Sequence, residues 1–137
     1  MAIEEQGFVG EWLTGGIFLQ KGFKWIQIDG LVEYNGKYYF IETKYKEKFV
    51  AGSNFNYDSQ GLDIHELKKQ LEFEERTGIR IILLVLEPDD HKGYKEGKWQ
   101  YLKVLNDLPE EMKFDTHGIR LFPLKFFKEL RELEDLK

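Results

Sequence analysis

Residues 23–47, FKWIQIDGLVEYNGKYYFIETKYKE, decide the fold of this chain, and we interpret them as two strands joined by a tight turn. Asn35 and Gly36 suit a two-residue type I′ turn, because both turn positions need a positive φ that asparagine and glycine adopt at little cost. If these two residues form the loop, Tyr34 faces Lys37. The turn thereby fixes the register of the whole predicted hairpin.

That register predicts a pair of opposed carboxylates. Asp29 falls opposite Glu42 in a non-hydrogen-bonded pair, in which Cβ atoms lie roughly 4.5–5.5 Å apart. Lys44, two residues beyond Glu42, points to the same face. Like charges held opposite each other repel, and a divalent cation between them reverses the sign of that interaction. The pattern indicates a metal site with an ammonium group beside it.

Composition is that of an ordinary globular domain. The chain has 137 residues, of which 42% are hydrophobic and 33% charged, so one domain is expected. It contains no apolar run of about 18 residues and no signal-peptide pattern at its start, from which we expect a cytoplasmic location. Cysteine is absent, which excludes disulfides, thiolate zinc sites and cysteine-ligated iron–sulfur clusters.

The net charge of −5 is unlike that of most nucleic-acid-binding proteins, which carry a basic surplus. A nucleic-acid partner would therefore need a local basic patch. An alternative reading is that lysines here protect a sheet edge from pairing with another chain. Five lysines near the hairpin are candidates for either role: Lys21, Lys24, Lys44, Lys46 and Lys48.

Two helices are predicted beside the hairpin. Residues 3–20 show apolar residues at helical spacing, and Glu11 borders that stripe as either a solvated or a functional carboxylate. Residues 62–77 form the clearer helix, closed by Gly78 in the position after its last turn. Gln70 falls within the apolar arc of this second helix. Because an unpaired buried amide costs about 1–3 kcal/mol, Gln70 is either satisfied structurally or part of a polar site.

The remaining segments complete a mixed sheet. Residues 45–61 are predicted as a loop, in which Phe55 and Tyr57 either stack on bases or anchor the loop. Residues 80–87, RIILLVLE, have the continuous apolar pattern of a strand covered on both faces, parallel to the hairpin. A further edge strand is predicted over 99–105, and Pro123 is expected to open a short C-terminal helix. The predicted order is α, β hairpin, α, β, β, α, with helices flanking the sheet.

These residues carry a resemblance to a known superfamily. Asp29, followed after twelve residues by Glu42, Thr43 and Lys44, resembles the D…ExK signature of the PD-(D/E)xK nucleases. Within that superfamily the chain is most similar to the archaeal Holliday junction resolvases. The likeness spans about residues 8–105 and runs through three segments: KGF at 21–23, NGKYYFIETK at 35–44 and LEFEERTGIRIILLVLE at 71–87.

The resemblance implies an α/β, restriction-endonuclease-like αβββαβ core over about residues 3–105, with a C-terminal extension over 106–137. It implies Mg²⁺-dependent hydrolysis of DNA, branched DNA included, by a homodimer, with Mn²⁺ as a substitute ion. The alternatives are an end-directed exonuclease of the RecB-like kind and a non-catalytic binding or assembly module with the same fold. The implied catalytic residues are Asp29, Glu42, Lys44, Glu11 and Gln70, and the metal is expected to bind Asp29, Glu42, the Thr43 carbonyl and Glu11.

Overall fold

The computed structural model describes residues 13, 16–23, 28–52, 55–89 and 93–137. Residues 13 and 16–20 are helical. The eight strands are β1 (Gly30–Tyr34), β2 (Lys37–Tyr45), β3 (Ser59–Asp63), β4 (Arg80–Asp89), β5 (Gly93–Tyr101), β6 (Phe114–Thr116), β7 (Ile119–Pro123) and β8 (Lys128–Glu129). The helices are α1 (Ile64–Thr77) and α2 (Leu102–Asn106), with 3-10 segments at Glu110–Met112, Leu124–Phe126 and Leu130–Leu136.

The predicted hairpin and its register are confirmed. Asn35 and Gly36 have φ values of 49° and 81°, as a type I′ turn requires. Strands β1 and β2 pair antiparallel, with Tyr34 opposite Lys37 and every further pair keeping the same sum of residue numbers. The Glu33 carboxylate accepts a hydrogen bond of 2.7 Å from the Gly36 backbone N–H and so stabilises the turn.

The main sheet has the strand order β1-β2-β4-β5-β8. Strands β2 and β4 are parallel, which confirms the predicted crossover through α1. Helix α1 covers one face of this sheet, where the Phe40 and Phe73 ring centroids lie 4.9 Å apart. Buried residues of α1, β4 and α2 form the core on this side of the sheet: Leu67, Ile81, Leu83, Val85, Leu102 and Leu105.

Helix α1 ends where its sequence predicts and begins two residues later than expected. The Asp63 side chain accepts hydrogen bonds from the backbone N–H groups of His65 and Glu66, which caps the first turn. Gly78 follows the last turn with a φ of 74°, the left-handed conformation that glycine adopts at little cost. Both ends of α1 are therefore set by local sequence.

A second, three-stranded sheet with the order β3-β7-β6 was not expected from the sequence. The predicted loop over 45–61 is wrong at both ends, because Tyr45 belongs to β2 and the segment from Ser59 begins β3. Strand β3 pairs antiparallel with β7 along its whole length, and Ser59 also forms an isolated antiparallel bridge with Phe49. Within the loop, Phe55 stacks on Phe114 with ring centroids 5.3 Å apart, so this aromatic residue anchors the loop.

The C-terminal third also departs from prediction. The strand expected over 99–105 stops at Tyr101 and continues as α2, in which Leu102 and Leu105 share the buried face. This strand, β5, is not the edge strand that was predicted, because the two-residue β8 pairs with its outer side. Pro123 ends β7, and the expected C-terminal helix is replaced by 3-10 segments on either side of β8.

The predicted helix over 3–20 lies mostly outside the described residues. Among the residues that the structure describes, no helix is long and apolar enough to cross a membrane.

The pairing of β3 with β7 makes a sharp prediction at Gly61. A Cβ atom at this position would lie 1.8 Å from the Arg120 carbonyl oxygen and 2.9 Å from the Leu121 Cα, and backbone atoms cannot move aside cheaply. We expect Gly61→Ala to lower the free energy of unfolding by about 1–3 kcal/mol or more, as for other overpacked sites. Gly30→Ala is the matched control, because its Cβ would meet nothing within 4 Å. Urea denaturation measures the free energy of unfolding of both variants. Equal stability of Gly61→Ala and Gly30→Ala would contradict the observed pairing.

Candidate functional site

Asp29 and β2 meet at the end of the hairpin that lies away from the turn. Asp29 immediately precedes β1, and its Oδ2 atom accepts a hydrogen bond of 2.7 Å from the Thr43 backbone N–H. This bond holds the exposed Asp29 carboxylate against the C-terminal part of β2, beside Glu42. The hairpin therefore brings the two predicted carboxylates together.

Glu42 is a buried acid, with 8% of its surface exposed. Its parallel neighbour on β4 is the core residue Leu83, so it points into the layer between the sheet and α1. The Lys44 Nζ atom lies 3.6 Å from Glu42 Oε1, and the Lys44 side chain is 30% exposed. The site thus has a buried carboxylate, an exposed carboxylate and an ammonium group at the margin between them and solvent.

Burial raises the pKa of Glu42 above its ordinary value of 4.5, and the nearby negative charge of Asp29 raises it further. The positive charge of Lys44 and the amide of Gln70 act in the opposite direction without cancelling the rise. The environment of Glu42 therefore favours either a bound proton or an additional positive charge.

Gln70 on α1 is fully buried beside Glu42. Neither its Nε2 nor its Oε1 atom has a partner with full hydrogen-bond geometry in the described part of the chain. Buried amides without partners are rare in proteins, because each unmet group costs free energy. Gln70 therefore has hydrogen-bonding capacity to offer to a water molecule or a ligand at this site.

The donor set fits a hard divalent cation. Asp29 and Glu42 offer carboxylate oxygens, and Thr43, whose backbone carbonyl is a further oxygen donor, follows Glu42 on β2. Over the described ranges, which leave out Glu11, no three His, Cys, Asp or Glu side chains form a metal cluster. Mg²⁺ does not need such a cluster, since it is usually held by one or two carboxylates and keeps several waters.

The structure therefore brings together four of the five predicted site side chains: Asp29, Glu42, Lys44 and Gln70. Glu11 lies outside the described residues, and its role stays a prediction. His65 and His117 are exposed, and His91 lies outside the described residues.

A second feature, which we call the lysine cleft, adjoins the site. It is a cleft of about 270 Å³ at the ends of β2 and β4, and its polar lining consists of Lys46, Lys48, Asp58, Gln60, Glu87 and Lys98. Lys46 and Lys48 were in the predicted basic patch. Lys98 and Gln60 were not, because their position depends on the pairing of β5 with β4 and of β3 with β7.

No family model and no curated protein sequence matches this chain. Among solved structures it is similar to the Hjc protein of Archaeoglobus fulgidus, a Holliday junction resolvase from an archaeal hyperthermophile. The identity is 12% and the TM-score 0.47, over 75% of this chain and 69% of that one. The function proposed below rests on the side chains of this chain itself.

The raised pKa of Glu42 predicts a pH-dependent stability. The folded protein holds the Glu42 proton more tightly than the unfolded chain does, so this contribution to stability is complete below about pH 4.5 and is lost as the pH rises through the folded-state pKa. Glu42→Gln removes the dependence. We expect the stability of this variant relative to wild type to increase with pH, by at most about 1.4 kcal/mol per pH unit.

Urea denaturation across this pH range, without divalent metal, measures the effect. Glu75→Gln is the control, because Glu75 is an exposed carboxylate on α1, and its stability should follow that of wild type. Parallel pH profiles for wild type and Glu42→Gln would contradict the prediction.

Proposed function

We propose that this chain is a metal-dependent nuclease that hydrolyses DNA phosphodiester bonds at Asp29, Glu42 and Lys44. The observation that carries the proposal is the placement of a buried carboxylate beside a second carboxylate, with an ammonium group 3.6 Å from the buried one. Two adjacent carboxylates destabilise a hairpin that has no cation between them. Their presence is accounted for by a cation that they bind during function.

The ion would be held by Asp29, Glu42 and the Thr43 carbonyl. Glu11, which the sequence predicts as a ligand, would add a further oxygen. When bound, Mg²⁺ or Mn²⁺ supplies Lewis-acid polarisation of a phosphoryl oxygen and lowers the pKa of a water molecule. The chain's own contribution is to place the scissile phosphate against this edge of the sheet.

Lys44 is the cationic group at the mouth of the site. Its partial exposure and its distance from Glu42 allow the ammonium group to reach a phosphate oxygen as well as the carboxylate. There it would orient the attacking water or stabilise the negative charge that develops on the phosphate. Gln70, whose amide lies close enough to Glu42 to lower its pKa, would hold Glu42 or a water molecule in place from the helix side.

As to substrate, we propose an endonuclease of the Holliday junction resolvase-like type that acts as a homodimer on DNA, branched DNA included. The D…ExK motif supports this assignment, together with its position on a hairpin followed by a parallel crossover. An end-directed exonuclease is the competing reading. Covalently closed circular DNA separates the two, because only an endonuclease cuts a substrate without ends.

Cleavage of nicked, flapped, linear, circular and four-way-junction DNA in Mg²⁺ or Mn²⁺ tests the proposal. We expect Asp29→Asn, Glu42→Gln and Lys44→Gln each to reduce the rate by roughly 10²-fold or more, the size found when an electrostatic stabiliser is lost. Glu33→Gln is the matched control, since it makes the same change at the turn end of the same hairpin. A complete absence of cleavage by wild type, or cleavage that survives Asp29→Asn, would refute the nuclease.

Thermal denaturation gives a test that does not depend on substrate choice. A cation that binds only the folded site stabilises it by RT ln(1 + [L]/Kd), or about 1.4 kcal/mol at ten times Kd. We expect the unfolding midpoint of wild type to rise with Mg²⁺ concentration and that of Asp29→Asn to stay constant. No rise of the wild-type midpoint with Mg²⁺, together with an unaltered midpoint in Asp29→Asn, would favour the non-catalytic binding module instead.

A further inference from the structure

The lysine cleft continues the candidate site on the same face of the sheet. Lys44 on β2 pairs with Val85 on β4, and Val85 pairs with Lys98 on β5. Paired residues of neighbouring strands point to one face, so Lys44 and Lys98 flank Val85 on the face that carries Glu42. Lys46 lies two residues beyond Lys44 and is on the same face. Its backbone N–H donates a hydrogen bond to the Leu86 carbonyl and so extends the pairing of β2 with β4 by one residue.

The charges in the cleft are incompletely balanced. Lys48 is paired with Asp58 at 3.2 Å, whereas neither Lys46 nor Lys98 forms an ion pair within the described ranges. Lys46 is half-buried, and burial together with the positive charge of Lys44 lowers its pKa. Glu87 also lines the cleft and offsets part of the positive charge. The cleft is thus a place where a bound anion would relieve repulsion between neighbouring ammonium groups.

Gln60 fixes the backbone from which these lysines extend. It is a buried residue of β3, and its Nε2 atom donates to the carbonyl oxygens of Lys46 and Glu47 at 3.1 Å each. The segment after β2 is thereby tied to the second sheet. Lys46 consequently extends from a fixed backbone, which reduces the ordering that a ligand must impose on it.

We propose that the lysine cleft binds a backbone phosphate of the nucleic-acid strand that passes through the candidate site, with Lys46 and Lys98 as its contacts. This inference rests on the proposed function, because it places the strand at Glu42 and Lys44. Two residues along a strand advance roughly 6.6 Å, and a nucleic-acid strand carries a phosphate every roughly 3.4 Å of helix axis. A phosphate one or two nucleotides from the scissile bond therefore falls beside Lys46.

The cleft is expected to position the substrate without reading its sequence, since phosphate contacts carry no sequence information directly. Binding of fluorescent duplex and single-stranded DNA, measured without divalent metal at a series of salt concentrations, tests it. Lys46→Gln and Lys98→Gln should each weaken binding equally for different sequences and reduce the slope of log K against log salt by about 1. Lys46→Arg, which keeps the charge, should retain the wild-type slope.

Lys37→Gln is the matched control, because it removes one lysine from the opposite end of β2, beside the turn. A slope that falls for both cleft variants and not for this control supports the cleft. Unchanged slopes for both cleft variants, or a wild type that does not bind DNA, would overturn it. The cleavage assay distinguishes failure of the cleft from failure of the nuclease. If wild type cleaves DNA but the salt slopes of both cleft variants are unchanged, only the cleft proposal is overturned. If the salt slopes fall but wild type does not cleave, the nuclease is overturned and the cleft remains a binding site.

Discussion

The positive φ values of Asn35 and Gly36 are the constraint on which the rest of the structure depends. A two-residue turn allows one register, and a shift by a single residue would move every side chain of the hairpin to the other face. In the observed register Asp29 reaches the Thr43 N–H, and Glu42 faces α1. The turn at one end of the hairpin therefore determines which side chains meet in the site at the other end.

The site also shows why net charge is a poor guide to local function. The chain carries a net charge of −5, yet the edge of the sheet beyond Glu42 presents Lys44, Lys46, Lys48 and Lys98. Acidic residues on α1, such as Glu72 and Glu75, contribute to the total but line a different cleft, with Arg80 and Lys103. Fields near a surface decay within about 10 Å at ordinary salt, so a local cluster determines what binds there.

The parts of the fold that the sequence predicted are those set by short-range chemistry. Positive φ values are favoured at Asn35, Gly36 and Gly78, because asparagine and glycine adopt them at little cost. These positions predicted the register of the hairpin and the end of α1. The turn between β6 and β7 has the same positive φ values at His117 and Gly118, but histidine at the first position concealed it. Strand β3 is short, and its pairing is with the distant strand β7, which no local pattern indicates.

The same distinction applies to the site. Asp29, Glu42 and Lys44 follow from the local register, and Gln70 follows from helical periodicity. Gln60 and Lys98 reach the lysine cleft through strand pairings with distant segments, which no local pattern specifies. Leu102 to Leu105 fit both a short apolar strand and a helix turn by periodicity alone, and burial of both leucines against the core selected the helix.

The parallel pairing of β2 with β4 has a consequence for the order of folding. Contacts within the hairpin join residues close in sequence, whereas the pairing of Phe40 with Ile81 joins residues on either side of the whole crossover. Local contacts form sooner than such long-range contacts. We expect Asp29 and Glu42 to meet while both are still in water, where their repulsion is weak, and Glu42 to lose its hydration only when α1 docks.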